Sequence, residues 1–164
     1  MLAPLASPKA TRDPRIGPLA RHARSVPVPF TRPFRPHPGF KGAPQDTEAE
    51  RLLHLFHDRC AGLGHELIRC QLELPGEPHP LTVDLLGLTT HRLIVGRGTA
   101  ERSAIHEAIG ELLDLSGLFL GAFAKTLLLP QLPDPDLDPL LKSLGITVTW
   151  PTPAGFRNSK GHAA

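Results

Sequence analysis

Three groups of residues have types and spacing that could do chemistry. His54, His57 and Cys60 recur at intervals of three, so on a helix they share one rough face. Imidazole nitrogen and thiolate sulfur suit a transition metal. The same spacing equally describes a core cysteine with two surface histidines. Second, Phe30, Phe34 and Phe40 interleave with Arg32 and Arg35. Aromatic rings can stack on bases while guanidinium groups meet phosphates, so Arg32 and Arg35 are candidate nucleic-acid contacts. Third, Asp84 stands in the apolar run Leu81-Thr-Val-Asp-Leu-Leu-Gly-Leu88. An acid can occupy a solvated strand edge without function. Flanking Val83 and Leu85 argue instead for a side chain facing inward or into a cleft.

Other chemistries lack their signature. Gly96-Arg97-Gly98 is too short for a P-loop or a dinucleotide loop. No Ser-His-Asp arrangement can be drawn. Cys60 and Cys70 lack CxxC spacing, which leaves a disulfide framework or structural zinc unsupported and fits a reducing cytosol. No run of about 18 apolar residues occurs, so no membrane span is expected. The N-terminal residues lack the pattern of a secretory signal.

Charge and proline divide the chain. Residues 1–42 hold eight Lys/Arg against one acid, a balance of +7, whereas residues 43–164 hold ten against fifteen, a balance of −5. Ten of the nineteen prolines fall in residues 1–44, where they preclude a helix. Residues 1–44 therefore read as a disordered, basic Pro/Arg-rich tail, and residues 46–151 as one domain. Residues 152–164 read as a flexible C-terminal tail.

Within that domain, Thr47-Glu-Ala-Glu50 reads as a capping box, opening a helix that Gly62 and Gly64 stop. Strands follow at 65–74, 81–88 and 92–97, with Thr89-Thr-His91 as a hairpin connector. A helix over 100–118 has Ile105, Ala108, Ile109, Leu112, Leu113 and Ser116 on its inner face. Glu107, Glu111 and Asp114 fall on the outer one. The apolar strand 126–129 reads as buried on both faces. Asp134-Pro135 opens a helix that ends at Gly145, and 146–150 is the last strand. The fold class is α/β, a mixed sheet flanked by helices.

This order, α-βββ-αβ-αβ with an acid in the second strand, resembles the PD-(D/E)xK superfamily of metal-dependent nucleases. It resembles most the restriction-endonuclease-like domains of actinobacterial type. The resemblance rests on Gly64-His-Glu66, Pro75-Gly-Glu-Pro-His-Pro-Leu81, Val83-Asp-Leu85, Leu93-Ile94, Ala108-Ile-Gly-Glu-Leu-Leu-Asp114, Leu127-Leu-Leu-Pro130 and Ser143-Leu-Gly-Ile146. It implies phosphodiester hydrolysis with Mg²⁺ held by an Asp on the second strand and a Glu on the third, with a Lys two residues further on. Asp84 matches the Asp. The Glu position falls on Val95 and the Lys position on Arg97. Valine cannot bind a metal, and an arginine stays protonated. On the next helix, the family's Gln and Tyr fall on Glu111 and Leu115. Glu48 and Glu50 match a first-helix acid that supports the family's site.

The resemblance therefore implies a degenerate nuclease-like domain, cytoplasmic, with a DNA-binding or interaction role. Its catalysis would be lost or impaired, and Arg32, Arg35 and Arg97 would be its DNA contacts. One alternative is a divergent Mg²⁺-dependent endodeoxyribonuclease. Asp84 and Glu111 would hold the metal, and Arg97 would serve as their charge partner in catalysis. Another is a decayed copy, or a mis-called reading frame, without independent function.

Overall fold

A computed structural model describes residues 24–28 and 44–161. The elements in chain order are β1 (Arg24–Val28), α1 (Pro44–Gly62), β2 (Leu67–Glu73), β3 (Leu81–Gly87), β4 (Arg92–Gly96), α2 (Arg102–Leu118) and β5 (Ala124–Leu128). A 3-10 turn (Pro135–Leu137), α3 (Asp138–Ser143), β6 (Ile146–Thr152) and β7 (Gly155–Asn158) complete them. The seven described strands form one sheet and lie side by side in chain order. β1 to β4 are a meander of antiparallel pairs, β5 and β6 run parallel to β4, and β7 turns back antiparallel to β6. Parallel neighbours need crossover connections, and α2 and α3 supply them.

The sheet is covered on both faces. α2, the 3-10 turn and α3 pack on one face against Val83, Leu93, Val95, Leu127 and Val148. α1 packs on the other against Leu67, Leu85, Ile94 and Leu128. Consecutive residues of β4 and β5 thus enter opposite cores, which explains their unbroken apolar runs. The inner face of α2 is Ile105, Ala108, Ile109, Leu112 and Leu115. Leu115 takes the place expected for Leu113, which is exposed. The stripe continues the 3.6-residue period from Ile105 through Leu112, and Leu115 lies three positions on.

Four expectations are corrected. The segment 1–44 contains a strand, β1, paired antiparallel with β2. Pro27 is tolerated there because β1 lies at the sheet edge. The disorder expected over 1–23 and 29–43 lies outside the described residues. Helix α1 starts at Pro44, so Thr47 is inside it and no capping box forms; Glu50 is used elsewhere. Residues 152–164 are not all a loose tail, because β7 pairs with β6. Phe156 of β7 is buried, with its ring edge-on to Phe56 of α1, centroids 5.1 Å apart. Finally, the helix expected from Asp134 is split. The Asp134 side chain does accept from the Asp136 N–H, but the first turn is 3-10. Pro139 lacks the N–H that would carry an i→i−4 ladder across Asp138. Gly145 closes α3 at φ 66°, a left-handed conformation in which a Cβ would be strained.

Candidate functional site

The site begins with an irregularity in the β2–β3 pairing. Ile68 pairs with Leu86 and Cys70 with Val83, so the single residue Arg69 faces two residues, Asp84 and Leu85. This is a β-bulge, a device that re-aims a side chain. Val83 and Leu85 enter opposite cores as a result. Asp84 is turned toward the end of β4, where its carboxylate accepts a hydrogen bond from the Gly96 N–H at 2.9 Å. Arg69 stabilises the bulge through its Nε, which donates to the Asp84 backbone oxygen at 3.3 Å.

Gly96 is what lets this geometry close. A Cβ on Gly96 would sit 2.9 Å from Leu53 Cγ, so the residue admits α1 against the end of β4. Glu50, one turn earlier on α1, then reaches Arg69. The Arg69 guanidinium donates to both its carboxylate oxygens, at 3.1 and 2.7 Å, a bidentate pair. On the opposite face, Arg97 Nη2 donates to Glu111 of α2 at 2.6 Å, while Nη1 donates to the Gly96 carbonyl at 2.9 Å.

Asp84 lies in the field of all these groups. Burial pushes its carboxyl up to about 6, against the Gly96 hydrogen bond that favours the ionised form. Glu111 pushes in the same direction as burial, and Arg69 and Arg97 oppose it. The three residues expected to form the site, Asp84, Arg97 and Glu111, are therefore brought together. Glu111 leaves the outer face expected for it and pairs with Arg97, while Glu107 and Asp114 are exposed. Arg69 and Glu50 belong to the cluster and were not foreseen as a pair. The one available signal was an arginine in the middle of an otherwise apolar-alternating strand. Glu48 stays outside it, paired with its helix neighbour Arg51.

As arranged, these residues do not fit Mg²⁺. A hard cation of that size needs about six oxygens in near-octahedral array. Glu111 is neutralised by Arg97, and the Asp84 carboxylate already binds a backbone N–H. Val95, at the position of the expected third-strand ligand, is fully buried under α2. Among the described residues, no group of three or more His, Cys, Asp or Glu could hold a metal ion. The same holds for the histidine–cysteine spacing of α1, whose Cys60 is buried in the core beneath that helix. Burial pushes the Cys60 thiol up, which keeps it protonated. Arg32 and Arg35 lie outside the described residues. No described helix is long and apolar enough to cross a membrane. Comparison of the chain with protein-family models, with curated proteins and with solved structures finds no match.

Proposed function

We propose that this chain is a restriction-endonuclease-like domain of PD-(D/E)xK descent that binds DNA and does not hydrolyse it. The observation that carries this reading is the state of Arg97. Where a nuclease of that type would keep a lysine beside a metal, Arg97 is a permanent cation tied to Glu111 and to the Gly96 carbonyl. It takes up the charge that a second metal-binding carboxylate would need. The helix, the three-strand meander and the helical crossover to a parallel strand support the resemblance in order and direction. A buried carboxyl pushed up to about 6 is the kind of perturbation that gathers at functional sites, and it survives here without a metal site around it. The buried thiols Cys60 and Cys70 suit a reducing cytosol.

DNA contact falls on the basic arm, since residues 43–164 carry −5. Arg97 contributes little, because a phosphate would have to displace Glu111. The test is incubation of the purified chain with supercoiled plasmid and Mg²⁺ or Mn²⁺. The plasmid stays intact. Cleavage that Asp84→Ala abolishes would overturn the proposal in favour of a divergent nuclease. Binding to a labelled duplex weakens steeply with salt and is lost in Arg32→Glu/Arg35→Glu, whereas Arg97→Met leaves it unchanged. Undiminished binding by the double arm variant would remove DNA from the reading.

A further inference from the structure

A second site lies at the far edge of the sheet. A cavity of about 440 Å³ opens between the turn that precedes α3 and strands β6 and β7. That volume is within the range of ordinary ligand sites, roughly 300–1,000 Å³. Leu132, Pro133 and Trp150 line its apolar floor, Asp134 and Asp138 stand on the helical side, and Arg157 stands on β7. Leu132 is 56% exposed, and Trp150 is partly buried. Neither the Trp150 indole N–H nor the Arg157 guanidinium has a hydrogen-bond partner among the described residues.

This combination is selective for one kind of ligand. An aromatic ring flanked by apolar side chains packs proline rings. An extended proline-rich backbone has no internal hydrogen bonds, so its carbonyls are open to donors such as an indole N–H or a guanidinium. Asp138 is already paired with Lys142, so Asp134 is the carboxylate on that wall that favours a ligand carrying a cation. Residues 29–38 of this chain, Pro-Phe-Thr-Arg-Pro-Phe-Arg-Pro-His-Pro, have that chemistry. Charge complementarity points the same way, since residues 1–42 carry +7 and residues 43–164 carry −5. We infer that the cavity takes residues 29–38 from a second copy of the chain.

Chain length decides that the source is another copy. β1 and β7 are the two edges of the sheet. Six strand spacings of about 4.8 Å put them roughly 29 Å apart. The start of α1 lies on the β1 side, since Glu50 reaches Arg69 of β2. Six Cα–Cα steps lead from Pro38 to residue 44, about 22 Å at full extension, but Pro29 follows Val28 of β1 by a single step of about 3.8 Å. That single step cannot span the roughly 24 Å from β1 to the cavity beside β6 and β7, so residues 29–38 cannot all enter it in the same copy. Insertion of an arm into a neighbour's cavity is a head-to-tail contact, which builds rings or open chains of molecules.

Trp150 makes the test direct, because it is the only tryptophan of a chain without tyrosine. A synthetic peptide of residues 29–38 is titrated into the dilute full chain while Trp150 emission is followed. A saturable change is expected. Asp134→Asn keeps the cap on the 3-10 turn and should weaken binding by about twofold to fivefold, the worth of an exposed ion pair. Leu132→Ser, at an exposed position that folding does not need, should weaken it further. In sedimentation, the mass of the full chain rises with concentration, and free peptide returns it to the monomer. An unchanged emission would overturn the proposal, as would variants that bind like the wild type. A chain that stays monomeric at every concentration would overturn the assignment to a second copy.

Discussion

Replacing Asp84 by asparagine should stabilise the protein at neutral pH. The carboxyl is raised from an ordinary 3.8 to about 6 in the folded state. Between those two values the native chain holds a proton that the unfolded chain has released, so stability falls as pH rises through that window. Each unit is about 1.36 kcal/mol, and the shift therefore amounts to about 3 kcal/mol, fully felt above pH 6 and absent below pH 4. Asparagine has nearly the same shape, and its carbonyl oxygen can still accept from the Gly96 N–H at 2.9 Å. Asp84→Asn thus removes the cost of ionisation and keeps the hydrogen bond. Urea unfolding followed by far-ultraviolet circular dichroism should show the variant about 3 kcal/mol more stable at pH 8, with the gap closing to near zero at pH 4. A variant no more stable than wild type at pH 8, or a gap that does not shrink on acidification, would refute the reasoning. Either result would mean that Asp84 is solvated or fully compensated by Arg69 and Arg97.

Three more outcomes follow from the same cluster. Glu111→Gln removes a negative charge that raises Asp84, so the Asp84 titration midpoint, read by carboxyl carbon NMR, should move below about 6; an unmoved midpoint would separate the two groups. Arg69→Met strands Glu50, whose side chain is 24% exposed, and should cost about 3 kcal/mol in urea unfolding. Adding Glu50→Gln should restore most of it, and a double variant as unstable as the single would show that the pair is not the cause. Val95→Glu places an unpaired carboxylate at a fully buried position and should cost about 3 kcal/mol or more. A thermal midpoint like that of the wild type would show that the side chain can swing into the cleft.

What the sequence disclosed follows from the strength of each physical signal. The apolar runs of β4 and β5 and the 3.6-residue stripe of α2 state their burial directly, so the layers and the mixed sheet were legible. β7 was not, because Gly155–Asn158 is a short strand carrying one large apolar residue, Phe156, amid polar neighbours. β1 was hidden by prolines, which argue against a central strand but permit an edge. At the site, Asp84 stood out because an acid among apolar residues carries a desolvation cost that something must justify. The partnership of Glu50 with Arg69 could not be read, since it depends on a bulge that shifts register by one residue. Thr47 and Glu50 satisfied a local capping rule, and a tertiary ion pair overrode it.

The charges around Asp84 are balanced within the protein itself. Glu50 and Glu111 are matched one to one by Arg69 and Arg97. With Asp84 protonated the cluster is neutral, and with Asp84 ionised it carries one negative charge. A nuclease site leaves its carboxylates under-compensated so that a divalent cation completes them. Here two guanidinium groups complete them from within, at fixed positions and without exchange with solvent. The residual charge above pH 6 is negative, which repels a phosphate rather than attracting one. The cluster thus ties α1, the bulge and α2 together, and under the proposed reading any attraction of nucleic acid falls to residues 1–42, which carry +7.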